Sequence, residues 1–169
     1  AWIALVLALF VVTAGKAYAV GTAGGTAINN QASISYQDGG GNNYSANSNT
    51  VTTTVNNVYT VTVNAPANQS GNSNSVVYYA YTVTNTSNAT NTFALSATSG
   101  AGGNTWVVTL YADDGAGGGV ANDGIHQAGE TTVTASTGAL AADATYKFFV
   151  AVTIPANTAN GQTDDTVLT

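Results

Sequence analysis

The residues that could carry chemistry are concentrated in one stretch, Leu110–Glu130, with the sequence LYADDGAGGGVANDGIHQAGE. This stretch holds four of the eight acidic residues of the chain and its one histidine. Its last nine residues, NDGIHQAGE, match the second half of a calcium loop. In such a loop oxygen ligands alternate along the chain, a glycine permits the sharp turn, and a final glutamate binds the ion through both oxygens.

A calcium site here needs ligands from outside that half motif. Gly119 and Ala121 occupy the positions of the first and third ligands, so the carboxylates of the preceding ADD segment have to fold back across GAGGGVA to complete the shell. The alternative is a solvated turn rich in glycine and aspartate. The sequence therefore predicts a Ca²⁺ site with five side-chain ligands: Asp113, Asp114, Asp123, Gln127 and Glu130.

The same stretch does not favour catalysis. His126 is the one imidazole of the chain, and no nucleophile-elbow or oxyanion pattern lies near it, so we expect an exposed loop histidine. Glu130 is the one glutamate, and a run of glycines does not hold a second carboxylate at the separation that a glycosidase pair needs. One histidine among carboxylates is also a poor zinc set. We therefore predict that the protein is not an enzyme.

The composition excludes several classes of partner. Charged residues make up 6% of the chain, with two lysines, no arginine and a net charge of -6, so the chain cannot neutralise a nucleic-acid backbone or an anionic membrane surface. There is no cysteine, which excludes disulfides and thiolate metal sites. Because disulfides are excluded, the stability of the fold has to come from an apolar core, to which bound ions can add.

The first twenty residues, AWIALVLALFVVTAGKAYAV, indicate export. The apolar run Ile3–Val12 has the length of a signal-peptide core, and Ala17-Tyr18-Ala19 has the small-x-small form of a cleavage site. We expect residues 1–19 to be removed and the mature protein to be secreted, with no membrane span, because the apolar run is shorter than the roughly 20 residues that a span needs. The alternative is a retained segment that forms an assembly helix or an added strand.

Strand signals follow from Gly21 to the end of the sequence. Runs of Val, Thr, Tyr and Phe with period two are separated by Gly, Asn, Ser and Asp, which is typical of strands and turns. We predict an all-β chain with an immunoglobulin-like antiparallel β-sandwich of about seven strands in residues 58–169, preceded by a β-hairpin segment in residues 20–57. Four apolar residues break the polar pattern of the outward faces, as surface residues or as a subunit contact: Tyr78, Val107, Tyr111 and Phe149.

The two ends of this sandwich do not match. Residues 27–55 form a surplus hairpin around the turn DGGGNN, whereas the last strand, Thr163–Thr169, begins with two charges and contains a single Val-Leu pair. A short last strand leaves an open sheet edge, which a donated segment of another copy can fill. Packing of the hairpin on its own sandwich is the equal alternative. The predicted assembly residues are Ala32, Ile34, Tyr36, Val51, Val55, Val167 and Leu168.

Four Asn-x-Ser/Thr sequons are candidates for glycosylation in an exported chain. They lie in predicted turns or strand ends, where attached glycans would add solubility and protect strand edges. The candidate sites are Asn43, Asn68, Asn85 and Asn88.

Several phrases resemble a known family. VVYYAYTVTNTSNATNTFALSATS, WVVTLYADD and GETTVTASTGALAADATYKFFVAVTIPA are similar to one unit of the repeat family called domain of unknown function eleven, which occurs in exported bacterial and archaeal surface proteins. With the hairpin segment, the resemblance covers roughly residues 26–169. It implies an exported β-sandwich with a structural or adhesive role, usually in tandem arrays, whereas one unit is present here.

Together these patterns predict the repeating subunit of an extracellular fibre or surface layer, a homopolymer assembled by strand pairing between copies. The alternative is an adhesin that binds glycan or protein through its loops, as a monomer or a tandem unit. A glycan binder is expected to present a platform of exposed aromatic rings. The aromatic residues expected to be exposed, Tyr44, Tyr78, Tyr111 and Phe149, are scattered along the sequence, which favours assembly.

Overall fold

The computed structural model describes residues 21–133 and 135–169, so the predicted signal segment and its cleavage site lie outside it. All regular structure in the described residues is β-strand, and none of it is a helix that could cross a bilayer. The strands are β1 (Ala27–Asn30), β2 (Ser33–Gln37), β3 (Asn43–Asn47), β4 (Val51–Thr54), β5 (Val61–Asn64), β6 (Val76–Asn85), β7 (Asn91–Ala94), β8 (Ala97–Thr98), β9 (Val107–Ala112), β10 (Ser136–Leu140), β11 (Thr145–Thr153) and β12 (Val167–Leu168).

One layer of the protein is a four-stranded antiparallel sheet in the order β5-β6-β11-β9. β11 pairs with β6 along its whole length and with β9 from Phe148 to Thr153. Its sequence, TYKFFVAVT, is almost continuously apolar because side chains on both of its faces are buried. Phe148 and Val150 point to the core, and Phe149 and Ala151 point to the opposite face.

The facing layer consists of short strands. β7 pairs with β10, and β8 pairs with β12, both antiparallel. Between the two layers lies one cluster of buried residues, to which both layers contribute, an arrangement consistent with a β-sandwich. The cluster comprises Val83, Leu95, Leu110, Phe148, Val150 and Val152.

The period-two pattern identified most of this core correctly. Most of the alternating apolar residues that share a face of β6, β7, β9 and β11 in the sequence lie in or against the buried cluster, whereas Val77 of β6 does not. The described residues after 57 hold strands β5 to β12, one more than the seven expected. Tyr59, Val61 and Val63 share a face in the sequence but are 62%, 45% and 50% exposed, since no strand of the facing layer covers them.

The last strand is shorter than predicted. It contains only Val167 and Leu168, paired with Thr98 and Ala97, whereas the sequence indicated a strand from residue 163 to residue 169. Asp164 explains the difference: its Oδ1 accepts hydrogen bonds from the Ser99 hydroxyl at 2.7 Å and from the backbone N–H of Gly100 at 3.1 Å. These bonds hold Asp164 in a loop instead of a ladder.

Asn85 holds a turn against the end of β6, a role that the sequence did not reveal. Its side chain is fully buried, and its Nδ2 donates to the carbonyls of Ala89, Leu140 and Ala141 at 2.8 to 3.0 Å. Its Oδ1 accepts from the backbone N–H of Ser87 at 3.0 Å. A buried amide with all of its polar atoms bonded fixes the backbone around it, because these bonds satisfy polar groups that have little access to water.

We expect Asn85→Ala to lower the free energy of unfolding by roughly 2–4 kcal/mol, because it leaves buried and partly buried carbonyls without a donor. Equilibrium unfolding in urea measures this change. Asn68→Ala, at an exposed position, is the matched control and should change stability by less than about 0.5 kcal/mol. Equal stabilities of the two variants would show that the Asn85 bonds do not stabilise the fold.

Candidate functional site

The segment 27–55 is an extended hairpin built from two antiparallel ladders in series. β1 pairs with β4 next to the rest of the chain, and β2 pairs with β3 toward the tip. Between them the backbone N–H of Ser48 donates to the carbonyl of Ala32 at 2.8 Å. Every residue of these four strands is exposed. The hairpin therefore has regular pairing but no packing partner in the described chain.

The tip of the hairpin is ordered by Asp38. Its Oδ1 accepts hydrogen bonds from the backbone N–H groups of Gly40 and Asn42, and its Oδ2 accepts from the Asn42 amide and the Tyr44 hydroxyl. The hydrogen bond from the Asn42 side chain is the main reason that the pKa of Asp38 lies below its usual value. Gly41 has φ of +86°, a conformation that favours glycine.

The base of the hairpin is attached to the body of the protein, which we define as strands β5 to β12, through Asn88. The backbone N–H of Gly24 donates to the Asn88 carbonyl at 2.8 Å, and the Asn88 side-chain amide donates to the carbonyls of Thr22 and Asn56. The N–H of Val58 donates to Asn88 Oδ1 at 2.8 Å. These bonds fix both strands of the hairpin where they leave the body.

The β2–β3 ladder of the hairpin has one apolar and one polar face, whereas the faces of the β1–β4 ladder are mixed. In the β2–β3 ladder the partner pairs Tyr36/Tyr44 and Ile34/Ala46 share a face, and the two tyrosine rings stack with centroids 5.2 Å apart. The opposite face of β2 and β3 carries serine, asparagine and glutamine. In the β1–β4 ladder Ile28 and Val51 share a face. The exposed fractions of the large apolar side chains are 45% for Ile28, 61% for Ile34, 56% for Tyr36, 46% for Tyr44 and 57% for Val51.

The structure separates the predicted assembly residues into three places. Ala32, Ile34, Tyr36 and Val51 lie exposed on the hairpin. Val55 is half-buried at the base, where its carbonyl accepts from Gly25. The last two residues of the set lie in the body: Val167 is exposed, and Leu168 packs against the core.

The body has an open groove that the sequence did not reveal. It lies between β5 and β6 of one layer and β7 and the end of β12 in the other, and its volume is about 440 Å³. Val63 pairs with Val83 in the ladder, so the β5 valines face the core side of their sheet, yet no residue of the facing layer closes over them. We call this feature the β5–β7 groove. The residues that line it are Val61, Val63, Ala65, Tyr81, Val83, Phe93, Ala94, Leu95, Leu168 and Thr169.

We call residues 113–130, which follow β9, the acidic loop. Asp113 and Glu130, the first and last acidic residues of the stretch, are both buried, 3% and 5% exposed. Asp113 Oδ2 accepts from the N–H of Gly124 at 2.9 Å, and Glu130 Oε2 accepts from the N–H of Gln127 at 3.3 Å. The second oxygen of each carboxylate and the Gln127 Oε1 atom are buried without a hydrogen-bond partner in the described chain.

The other two predicted calcium ligands have different partners. Asp114 Oδ1 accepts from the backbone N–H of Ala116, and Asp123 accepts from the N–H of Ile125 and from the Gln127 side chain. Both aspartates are exposed. Within residues 21–133 and 135–169, no three His, Cys, Asp or Glu side chains come together as a metal-binding group. The structure thus brings Asp113, Gln127 and Glu130 inward and leaves Asp114 and Asp123 at the surface.

His126 is not the exposed loop residue that we expected. Its ring stacks on Tyr78 with centroids 3.8 Å apart and meets Tyr111 and Phe149 edge-on at 5.0 and 5.6 Å. Its Nε2 lies 3.7 Å from Glu130 Oε2. The loop therefore covers the outer face of the four-stranded sheet through its one aromatic side chain.

This packing also corrects the expectation for the outward apolar residues. Phe149 is only 2% exposed and Tyr78 and Tyr111 are half-buried, so these three rings form the surface on which the loop lies. Val107, at 66% exposure, stays in solvent. The sequence showed that three aromatic residues on an outward face need cover, but it did not show that His126 supplies that cover.

The four sequons differ in accessibility. Asn43 and Asn68 are exposed. Asn85 is fully buried, and the Asn88 side chain is bonded at the base of the hairpin. In the folded chain only Asn43 and Asn68, of these four, present their amide nitrogens to solvent.

No family model, curated protein or solved structure compared with this chain matches it.

Glu130 should give the stability of the protein a distinctive pH dependence when metal ions are chelated. Burial raises its pKa most; Asp113 and Asp114 act in the same direction, and the N–H of Gln127 and the ring of His126 act against it. A raised pKa means that the folded chain holds this proton more tightly than the unfolded chain. The stabilisation is fully present below the unfolded pKa and is lost as pH rises through the folded pKa.

In EDTA, we therefore expect wild-type protein to lose stability relative to Glu130→Gln as pH rises from about 4 to about 7. Thermal unfolding of both proteins across this range measures the difference. Asp143→Asn, which removes one carboxylate at an exposed turn, is the control for the change in net charge. A constant difference between wild type and Glu130→Gln would contradict the burial of an ionisable carboxylate at this position.

Proposed function

We propose that this protein is a secreted, non-enzymatic structural subunit that assembles with copies of itself into an extracellular fibre or surface layer by inter-subunit β-strand pairing. The observation that carries the proposal is the uncovered apolar face of the hairpin. Ile34, Tyr36 and Tyr44 share one face of the β2–β3 ladder and are about half exposed. Ile28 and Val51 of the β1–β4 ladder are exposed as well.

A two-stranded hairpin is marginal in water by itself, so it needs a surface to pack on. Complete burial of an exposed apolar side chain contributes roughly 1.5–3 kcal/mol. These five side chains are about half exposed, so covering them contributes on the order of 4–8 kcal/mol, which matches or exceeds the lower estimates of about 4 kcal/mol for the loss of translational and rotational freedom on association. The polar face of β2 and β3 can remain in water while the apolar face is buried. The hairpin is thus suited to adding strands to another copy.

The geometry of such a contact favours a polymer. The hairpin of one subunit and the surface that accepts it in the next are different parts of the chain, so the contact is head-to-tail. Head-to-tail contacts that do not close into a ring produce open filaments. The resemblance to exported surface repeats and the signal-like first residues support the extracellular location, and we extend the fold assignment to the immunoglobulin-like type on the same resemblance. Glycans at Asn43 and Asn68 are part of the proposal.

One observation favours a second candidate function, an adhesin that binds glycan or protein. The stacked rings of Tyr36 and Tyr44 are about half exposed and form a small aromatic platform near the hairpin tip. Stacked aromatic rings bind the apolar faces of ligands well. The other aromatic residues expected to act in this way, Tyr78, Tyr111 and Phe149, pack under the loop. Assembly explains the exposure of all the apolar side chains of the hairpin, whereas ligand binding explains only the two tyrosines near its tip.

We also propose that the acidic loop binds Ca²⁺. The supporting observation is the set of buried oxygens without partners on Asp113, Gln127 and Glu130, since hard oxygen atoms are the ligands that Ca²⁺ prefers. Two buried carboxylates near each other repel when both are ionised, and a divalent cation would offset that repulsion. Asp114 and Asp123 lie next to this set and supply further oxygens after a small rearrangement of the loop.

For assembly, we expect Ile34→Asp to keep the protein monomeric at concentrations where the wild type forms oligomers. The change replaces an apolar contact by a charge, which should weaken each contact by at least about tenfold, because about 1.4 kcal/mol corresponds to a factor of ten. Ser35→Asp adds the same charge on the opposite face of β2 and should assemble as the wild type does. Sedimentation velocity of the three proteins measures the outcome.

If Ile34→Asp assembles as the wild type does, the proposed role of the hairpin face in assembly is wrong. Circular dichroism of both variants checks that the strands are retained, as we expect for two exposed positions.

For calcium, we expect millimolar Ca²⁺ to raise the melting temperature of the wild type above its value in EDTA. An ion that binds only the folded state stabilises it by about 2.7 kcal/mol at a hundred times its Kd. Glu130→Gln should lose the increase, whereas Asp143→Asn should keep it. Identical melting curves of the wild type in Ca²⁺ and in EDTA would leave the loop as a turn without an ion.

A further inference from the structure

We propose that the β5–β7 groove is the acceptor site for the hairpin of a second copy, and that strand β2 of that copy lies in it with Ile34 and Tyr36 inward. This inference rests on the proposed function and adds to it the location of the contact. It assigns the groove to one occupant, a second copy of this chain.

The groove offers strand edges as well as apolar side chains. In the described chain β5 is the edge strand of its sheet and pairs only with β6. In the facing layer β7 pairs with β10 on one edge, and β12 occupies the other edge only as far as Ser96, which exchanges two backbone hydrogen bonds with Thr169. The remaining length of that edge, along Asn91–Ala94, carries no strand in the described residues. Exposed strand edges of this kind are templates for added strands.

Apolar side chains around the groove face the core side of their sheet and yet are about half exposed. Val61 and Val63 are 45% and 50% exposed although they lie on the core face of their sheet. Across the groove lie Phe93 and Leu168, which are only partly buried although they pack against the core. An inserted strand with apolar side chains would cover both walls at once, which removes their surface from water.

The hairpin has the dimensions and chemistry that this space requires. β2 has five residues, about 17 Å at 3.3 Å per residue, which is slightly longer than the four residues of β5 and of β7. Its apolar side chains alternate with serines, so one face can enter the groove while the other remains in water. No residue that lines the groove has a charged side chain, and neither has β2, so insertion desolvates no charged side chain.

Residues 21–133 and 135–169 of the same copy do not supply the occupant. Its hairpin is anchored at the base by the Asn88 bonds and leaves its own apolar face exposed, while the groove of the same copy stays open. The apolar face of the hairpin and the groove are both covered when each copy inserts into the next. Since they are different surfaces, repetition of the contact extends a filament.

Engineered disulfides test this contact cleanly, because the chain has no cysteine. Full-chain protein with Ile34→Cys is mixed with protein carrying Val63→Cys under oxidising conditions, so that any mixed disulfide joins two copies. Disulfides form only when the two Cα atoms approach to about 4.4–6.8 Å, so we expect at least about tenfold more mixed dimer from this pair than from the controls.

Two controls are matched to the pair. Ser35→Cys with Val63→Cys tests the polar face of the same strand, and Ile34→Cys with Val107→Cys tests an exposed valine outside the groove. Sedimentation velocity of the unmodified wild type runs in parallel. If the wild type assembles but the Ile34–Val63 disulfide forms no more than the control disulfides do, the groove is not the acceptor site. The proposed assembly itself would not be contradicted by that result.

A second set of experiments, with aspartate variants and hydrogen exchange, tests whether something other than a second copy fills the groove. Val63→Asp should weaken assembly by at least about tenfold whereas Val107→Asp should not, since about 1.4 kcal/mol is a factor of ten. If the wild type is monomeric at every concentration, the proposed function itself fails. If a monomer protects the β5 and β7 amides from hydrogen exchange, the groove is filled by a segment of the same chain and the acceptor role is overturned.

Discussion

The need to cover the apolar faces of β-strands is the constraint on which the whole structure depends. In a chain with 6% charged residues and no disulfide, burial of those faces is the main source of stability. β11 shows the constraint fully met, since the facing layer covers Phe148 and Val150 and the acidic loop covers Phe149 on the other side. β5 and the hairpin show it unmet within one copy. We infer from this contrast that the missing cover comes from another copy.

The acidic loop covers a sheet face at an electrostatic cost. His126 packs on the aromatic rings of Tyr78 and Phe149, and this packing draws Glu130 into the interior, where burial raises its pKa. Asp113 is buried in the same loop, and one of its oxygens has no hydrogen-bond partner among the described residues. Buried carboxylates are retained when they are bonded or bind an ion. A bound cation would therefore stabilise the buried carboxylates of the loop and, with them, the packing of the loop on the sheet.

The strand pattern could be predicted from the sequence because the side-chain period of a strand is two and the turns are marked by glycine and asparagine. This identified the core faces of β6, β7, β9 and β11 and the hairpin with its turn at Asp38. Contacts between segments distant in sequence could not be predicted. The stacking of His126 on Tyr78, the bonds of Asn85 to the turn after β10 and the loop bonds of Asp164 all depend on such contacts.

The groove illustrates the same limit. Val61 and Val63 have the alternation of a buried strand, and nothing in the sequence shows that the facing layer stops short of them. In the acidic loop, we predicted from the sequence that Asp113 and Glu130 belong to one site although seventeen positions separate them, and the structure buries both. It could not show that Asp114 and Asp123 would bond to backbone N–H groups instead.

Hydrogen exchange of the hairpin amides as a function of protein concentration tests the assembly of this protein most directly. In a monomer at low concentration, we expect the amides of β2 and β3 to exchange rapidly, because an isolated hairpin opens readily. In assembled protein the same amides, and those of β5 and β7, should become protected together. Strong protection of β2 and β3 in the monomer, or rapid exchange in the assembled protein, would contradict strand pairing between copies.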